Sequence, residues 1–166
     1  MSDPAWLPEL IRFEDYGGNW TTYVEAVYLR FHRDFIETQP KFNGCWVRCR
    51  RDPLAQGKEA GFWHCTSAGK DEAQRTPELR RMERIGWVRA IIEHADDPML
   101  SLWVRKEDAE SRWHLWFREE FMVVLGERPR PDGRRYFQLI TAFETLLEHQ
   151  KRKQRQQKDR WSPQNG

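Results

Sequence analysis

A histidine at position 64 sits in the stretch GFWHCTSAGK, and an arginine-rich segment follows it with Arg75, Arg80 and Arg84. Imidazole titrates near neutral pH, so His64 can give or take a proton. Arginine makes bidentate contacts to phosphate that lysine does not. Further on, Arg112 and His114 are spaced to share one face of a strand, and Tyr136 and Thr141 bracket another with hydroxyls. Together these types suit metal-free phosphodiester cleavage, which needs a base, an acid and cations around the phosphorane. Ser67 and Lys70 would then lie in the loop beyond His64, and exposed aromatics could stack bases.

Each residue also has an ordinary reading. Arg80, Arg81 and Arg84 can be the solvated face of an amphipathic helix. His114 can be a plain sheet residue, and Tyr136 and Thr141 are good strand formers whatever their role. His64 can simply pack between Trp63 and Cys65.

Other chemistries find little support. Cys45, Cys49, Cys65 and His64 invite a zinc reading. Adjacent strand residues point apart, however, and CxxxC is not the tight knuckle spacing of structural zinc, so free thiols are the simpler expectation. The sequence holds no G-x-S-x-G, Walker loop, HExxH or G-x-G-x-x-G. No metal and no cofactor is expected.

The elements that must position these residues are legible from periodicity. Residues 1–18 form a Pro- and Gly-punctuated lead. Asn19 can cap a helix in which Trp20, Tyr23, Val24, Val27, Tyr28, Phe31 and Phe35 line one face, ending near Gln39. Two short β-like runs follow, Cys45 to Arg50 and Phe62 to Thr66. Thr76-Pro77-Glu78 announces a second helix, which Gly86 can divide. From Met99 the period changes to two. Strands through Leu100–Val104, Trp113–Phe117, Phe121–Leu125 and Tyr136–Ile140, joined by short loops, read as an antiparallel meander. Phe143, Leu146 and Leu147 then open a C-terminal helix that runs into a basic tail. The expected fold is α+β: N-terminal helices packed on a four- to five-stranded antiparallel sheet, one domain over 19–155, and a flexible tail over 156–166.

The chain of 166 residues is charged throughout, with 33% Asp, Glu, Lys and Arg, and its nine Trp and nine Phe supply core area that its aliphatic residues do not. Net charge is only +2, yet from Gln150 onward six cations face one aspartate, and ERPRPDGRR is a second basic run. Such clustering points to an anionic partner, nucleic acid first, with His149 and Lys151 at the head of the tail as candidate contacts. A solubilising tail is the alternative. There is no run of about 18 apolar residues and no signal-peptide pattern, so no membrane partner and a cytoplasmic location with reduced thiols are expected.

The ordered blocks FWHCTS, RTPELRRMERIGWVRAIIE, the strand from Arg112 through Phe117 and YFQLITAFETLLEHQKRK resemble phage and bacterial proteins of the barnase, EndoU, colicin and RelE ribonuclease superfamily. The resemblance spans about residues 20–155. It implies helices packed on a four-stranded antiparallel sheet, and a toxin or phage-defence effector that cuts RNA without metal, partnered by RNA and by a cognate inhibitor or antitoxin. Carried over, it implies acid/base work for His64, phosphate binding for Arg84 or Arg112, and last-strand roles for Tyr136 and Thr141. Ser67, Lys70, Arg75, Arg80, His114, His149 and Lys151 remain nucleic-acid contacts. The sequence offers no obvious glutamate partner of the barnase type. A non-catalytic nucleic-acid module and a protein-interaction subunit are the competing expectations.

Overall fold

The computed structural model describes residues 2–71, 74–107 and 109–161. Asn19 starts helix α1 (Trp20–His32): its side-chain oxygen accepts from the Thr22 amide at 3.0 Å, satisfying one orphan donor of the first turn. The helix passes into a π-turn at Arg33–Glu37 and stops before Pro40, which leads into strands β1 (Lys41–Phe42) and β2 (Cys45–Cys49). Next come helix α2 (Ala60–Thr66), the short strands β3 (Ser67–Ala68) and β4 (Thr76–Pro77), and helices α3 (Leu79–Glu83) and α4 (Ile85–Glu93).

The meander follows as β5 (Leu100–Glu107), β6 (Glu110–Phe117), β7 (Phe121–Pro129) and β8 (Arg135–Glu144), and helix α5 (Glu148–Trp161) closes the described chain. The main sheet has six strands in the order β1-β2-β8-β7-β6-β5. The class is α+β, but the expected all-antiparallel sheet of four or five strands is corrected. β2 pairs with β8 in parallel, setting Val47, Arg48 and Cys49 beside Phe137, Gln138 and Leu139. Such a pairing needs a long connection, here everything from Cys49 to Arg135: the three helices and then strands β5 to β7.

Four other expectations change. Phe62–Thr66 is helical, not a strand. Phe143 lies within β8, which runs on to Glu144, and α5 begins only at Glu148. That helix extends through Trp161, so residues 156–161 are ordered helix and not tail. The break between α3 and α4 falls at Arg84, not at Gly86. Gly86 serves another purpose: a Cβ there would stand 3.1 Å from the Arg30 guanidinium carbon, so glycine lets Arg30 lie on α4.

Alternation along each strand gives the sheet two different faces. Leu115, Phe117, Phe121, Val123, Leu125, Phe137, Leu139 and Ala142 pack into the main core with Tyr23, Val27 and Phe31 of α1 and Ile85, Val88 and Ile91 of α4. The lead lies against this helical layer, with Trp6 stacked on His94 at 4.5 Å and the Trp87 indole donating to the Pro8 carbonyl at 3.0 Å. On the other face Trp103, Trp116, Met122 and Val124 form a second buried cluster. Helix α5 covers it: the Trp103 indole donates to Gln157 Oε1 at 3.0 Å, and Lys158 donates to the Ser101 hydroxyl. Among the described residues no helix is long and apolar enough to cross a membrane.

Candidate nucleic-acid interface

Helix α5 covers only part of the second face. Where it does not reach, the registers place Arg105 beside Arg112, Arg112 beside Gly126, Gly126 beside Gln138 and Gln138 beside Arg48, a single row across five strands. The next row begins with the paired Glu107 and Glu110 and continues through Arg128, Tyr136, Trp46 and Lys41. Arg128 pairs with Tyr136 and Lys41 with Trp46, and the β2–β8 register continued by one step sets Trp46 beside Tyr136. Cations, aromatics and carboxylates therefore share one face, on which Lys41, Trp46 and Arg48 are exposed and Arg105, Glu110, Arg112, Arg128, Tyr136 and Gln138 half-buried.

These side chains are held in place. Glu110 is ion-paired with Arg128 at 2.7 Å and lies 3.7 Å from Arg112, and Arg128 Nε donates to Gln138 Oε1 at 3.2 Å. The Arg48 guanidinium sits 4.8 Å over the Tyr136 ring, and the Lys41 ammonium 4.5 Å over Trp46. Trp46 is 43% exposed, far above what a packed indole shows. Each guanidinium carries five N–H donors, so Arg48 and Arg128 retain donors for a phosphate after making these contacts.

The residues expected to act together are dispersed. Arg112 and Tyr136 belong to the open face. His64 lies on α2, half-buried, and its backbone carbonyl accepts from the Thr141 hydroxyl at 2.8 Å, so Thr141 serves as a fastener between helix and sheet. Arg84 lies on the opposite side of the sheet, over the Trp87 ring at 5.0 Å, and Trp87 packs on Phe117 and Phe121 in the main core. His64, Arg84 and Arg112 therefore do not form one constellation.

His114 is 8% exposed and stacked on Trp103 at 5.2 Å, so it is a core residue beneath α5 and not an RNA contact. Ser67 is fully buried, and its hydroxyl accepts from Arg75 Nε at 2.9 Å. Arg75 also donates to the Gly69 carbonyl, and Arg81 to that of Ser67, so both arginines fasten the loop. Lys70 and Arg80 are exposed, the latter on α3. On α5 His149, Arg152, Lys153, Gln156, Asp159 and Arg160 are exposed at helical spacing, a stripe in which three cations outnumber one carboxylate, while Lys151 is half-buried.

The sequence reading passed over Glu110, Arg48 and Trp46, and included Arg128 only within the basic run ERPRPDGRR. Arg48 and Trp46 alternate with the buried Val47 and Cys49, and that alternation was the available signal. Glu144, at the end of β8, was also missed. Burial raises its carboxyl above the ordinary range, although Arg80, Arg84 and Arg81 pull it down. Burial likewise pushes the Cys65 thiol to about 12 and the Cys49 thiol to about 11. Among the described residues no three His, Cys, Asp or Glu side chains are grouped to hold a metal ion.

Fold and surface together define an α+β protein whose mixed sheet is shielded by helices on one face and half-open, with cations and aromatics, on the other. Comparison with family models, with curated proteins and with solved structures gave no match for this chain.

Proposed function

We propose that the protein binds single-stranded RNA across the open half of its sheet. The observation that carries this reading is the pair of cross-strand rows, Arg105-Arg112-Gly126-Gln138-Arg48 and Glu110-Arg128-Tyr136-Trp46-Lys41. Strands deliver side chains at a regular pitch, so the arginines can follow phosphates while Trp46 and Tyr136 offer rings to bases. The exposed stripe on α5 adds positive charge. RNA is also the substrate class that the sequence resemblance implies.

A second reading is metal-free RNA cleavage on the same surface, favoured by one feature. The Glu110 carboxylate lies between two guanidiniums, a base beside cations that could stabilise a phosphorane. Purified protein incubated with RNA in EDTA tests both readings. Retention that falls with salt and with Arg112→Ala plus Arg128→Ala supports binding, and RNA shortening that Glu110→Gln abolishes supports cleavage. No retention at low salt refutes the binding reading, and intact RNA after long incubation refutes cleavage.

A further inference from the structure

Away from the sheet, α1 and the turn before α2 enclose a hollow of about 130 Å³. Trp20, Trp63, Val24, Met82 and Pro77 line it, and Lys58 and Glu25 bring charge to it. The two indoles are fixed. Trp63 donates to the Ala55 carbonyl at 2.9 Å, and Trp20 packs against Phe13 and Tyr23. The space is close to that of an engineered apolar cavity of about 150 Å³ that takes benzene, so it suits a single six-membered ring.

The Lys58 side chain is only 10% exposed, an unusual place for an ammonium. Its Nζ donates to Glu25 Oε1 and lies 5.1 Å over the Tyr28 ring. An ammonium has three donors, so these contacts leave donor capacity for a ligand. Glu25 is half-exposed and carries a second oxygen. Glu59 does not compete, because the Tyr28 hydroxyl holds it at 2.7 Å. The hollow thus presents a donor and an acceptor side by side. A ring whose edge carries a carbonyl next to an N–H is complementary to that pair. The neutral lactam edge also adds no negative charge beside Glu25, as a carboxylate ligand would.

We propose that this hollow reads a uracil base, its O4 accepting from Lys58 and its N3–H donating to Glu25, with the ring held among Trp20, Trp63 and Met82. The identity of uracil as part of a bound RNA rests on the RNA-binding reading above. 3-Methyluridine presents a methyl group where the hollow needs N–H, whereas cytosine meets the same pair, N3 accepting from Lys58 and N4–H donating to Glu25, only with the ring turned over.

The test is tryptophan fluorescence of the full chain titrated with free uridine, cytidine, 3-methyluridine and guanosine. Uridine should give a saturable change, and 3-methyluridine should bind about tenfold more weakly, the loss of one charge-assisted hydrogen bond. Glu25→Gln, at a half-exposed position, should remove the discrimination while leaving the circular dichroism spectrum unchanged; Lys58→Met should remove binding. No saturable response to uridine, equal response to 3-methyluridine, or tighter guanosine binding would overturn the assignment. Oligo(U) and oligo(C) retention separates the two proposals. Equal retention with uridine silent removes the uracil site and leaves RNA binding standing. Uridine that still titrates selectively when no RNA is retained removes RNA binding and leaves the hollow as a base site.

Discussion

Glu110 lies directly over Gly126: a Cβ on Gly126 would collide with Glu110 Oε1 and stand 3.1 Å from Ile140 Cδ1. Glycine makes the slot into which the carboxylate settles, and the carboxylate in turn engages Arg128. Gly126→Ala should therefore lift Glu110 out of its pairing and lower stability by about 1–2 kcal/mol, as overpacking does. Glu110→Gln removes a charge that repels phosphate and competes for Arg128, so RNA retention should tighten several-fold. Urea denaturation checks Gly126→Ala and filter binding at fixed salt checks Glu110→Gln, and weaker retention by Glu110→Gln would contradict the account.

Arg112→Ala and Arg128→Ala together should weaken binding to every RNA sequence alike. They should also reduce the slope of log K against log salt by about one to two units, because each lost phosphate contact releases fewer counterions. A salt titration measures this directly. An unchanged slope would place the interface elsewhere.

Trp103 couples α5 to the sheet, through the stack on His114 and the bond to Gln157. Trp103→Ala should cost about 3–5 kcal/mol, a large core truncation with a cavity left behind. Urea denaturation gives the value. Hydrogen exchange should show the loss concentrated in Glu148–Trp161, where α5 loses its anchor.

Burial lifts the folded-state affinity of Glu144 for a proton, against the pull of Arg80, Arg84 and Arg81 and with some help from Glu78. The folded state then binds protons more tightly than the unfolded state, so this group costs stability as pH rises through its titration. Glu144→Gln should accordingly raise Tm at pH 7, and the gain should vanish below about pH 4, where the wild-type carboxyl is itself protonated. Thermal melts across pH provide the check, and a constant difference would remove Glu144 as the cause.

The thiols should differ in reactivity. Cys49 and Cys65 are buried with raised pKa, whereas Cys45 is partly exposed. Iodoacetamide at pH 8 should add one label to the native protein, at Cys45, and three after denaturation. Mass spectrometry of the native reaction decides.

Periodicity revealed the meander well: Trp113, Leu115 and Phe117 do point into the main core, with Arg112, His114 and Trp116 turned away. The Asn19 cap was equally visible, because capping is local. What the sequence concealed was non-local. Nothing within β2 announces that Val47 will pair with Phe137, some ninety residues on. The run Phe62–Thr66 has the composition of a strand, yet it docks along β8 as a helix, a tertiary outcome that overrides propensity. The candidate site failed for the same reason. His64 and Arg84 are near each other in sequence, but Arg112 and Arg84 are separated by the thickness of the sheet, and only the assembled sheet puts Trp46, Arg48 and Arg128 on one surface.

The parallel seam between β2 and β8 carries a consequence for biosynthesis. Trp46 and Arg48 leave the ribosome about ninety residues ahead of Tyr136 and Gln138. The surface of cations and aromatics spans this seam, so a nascent chain halted before residue 135 holds only fragments of it. Contacts of such long sequence separation form late in folding. The surface on which RNA binding is proposed is thus complete only once β8 has been made, a timing written into the strand order.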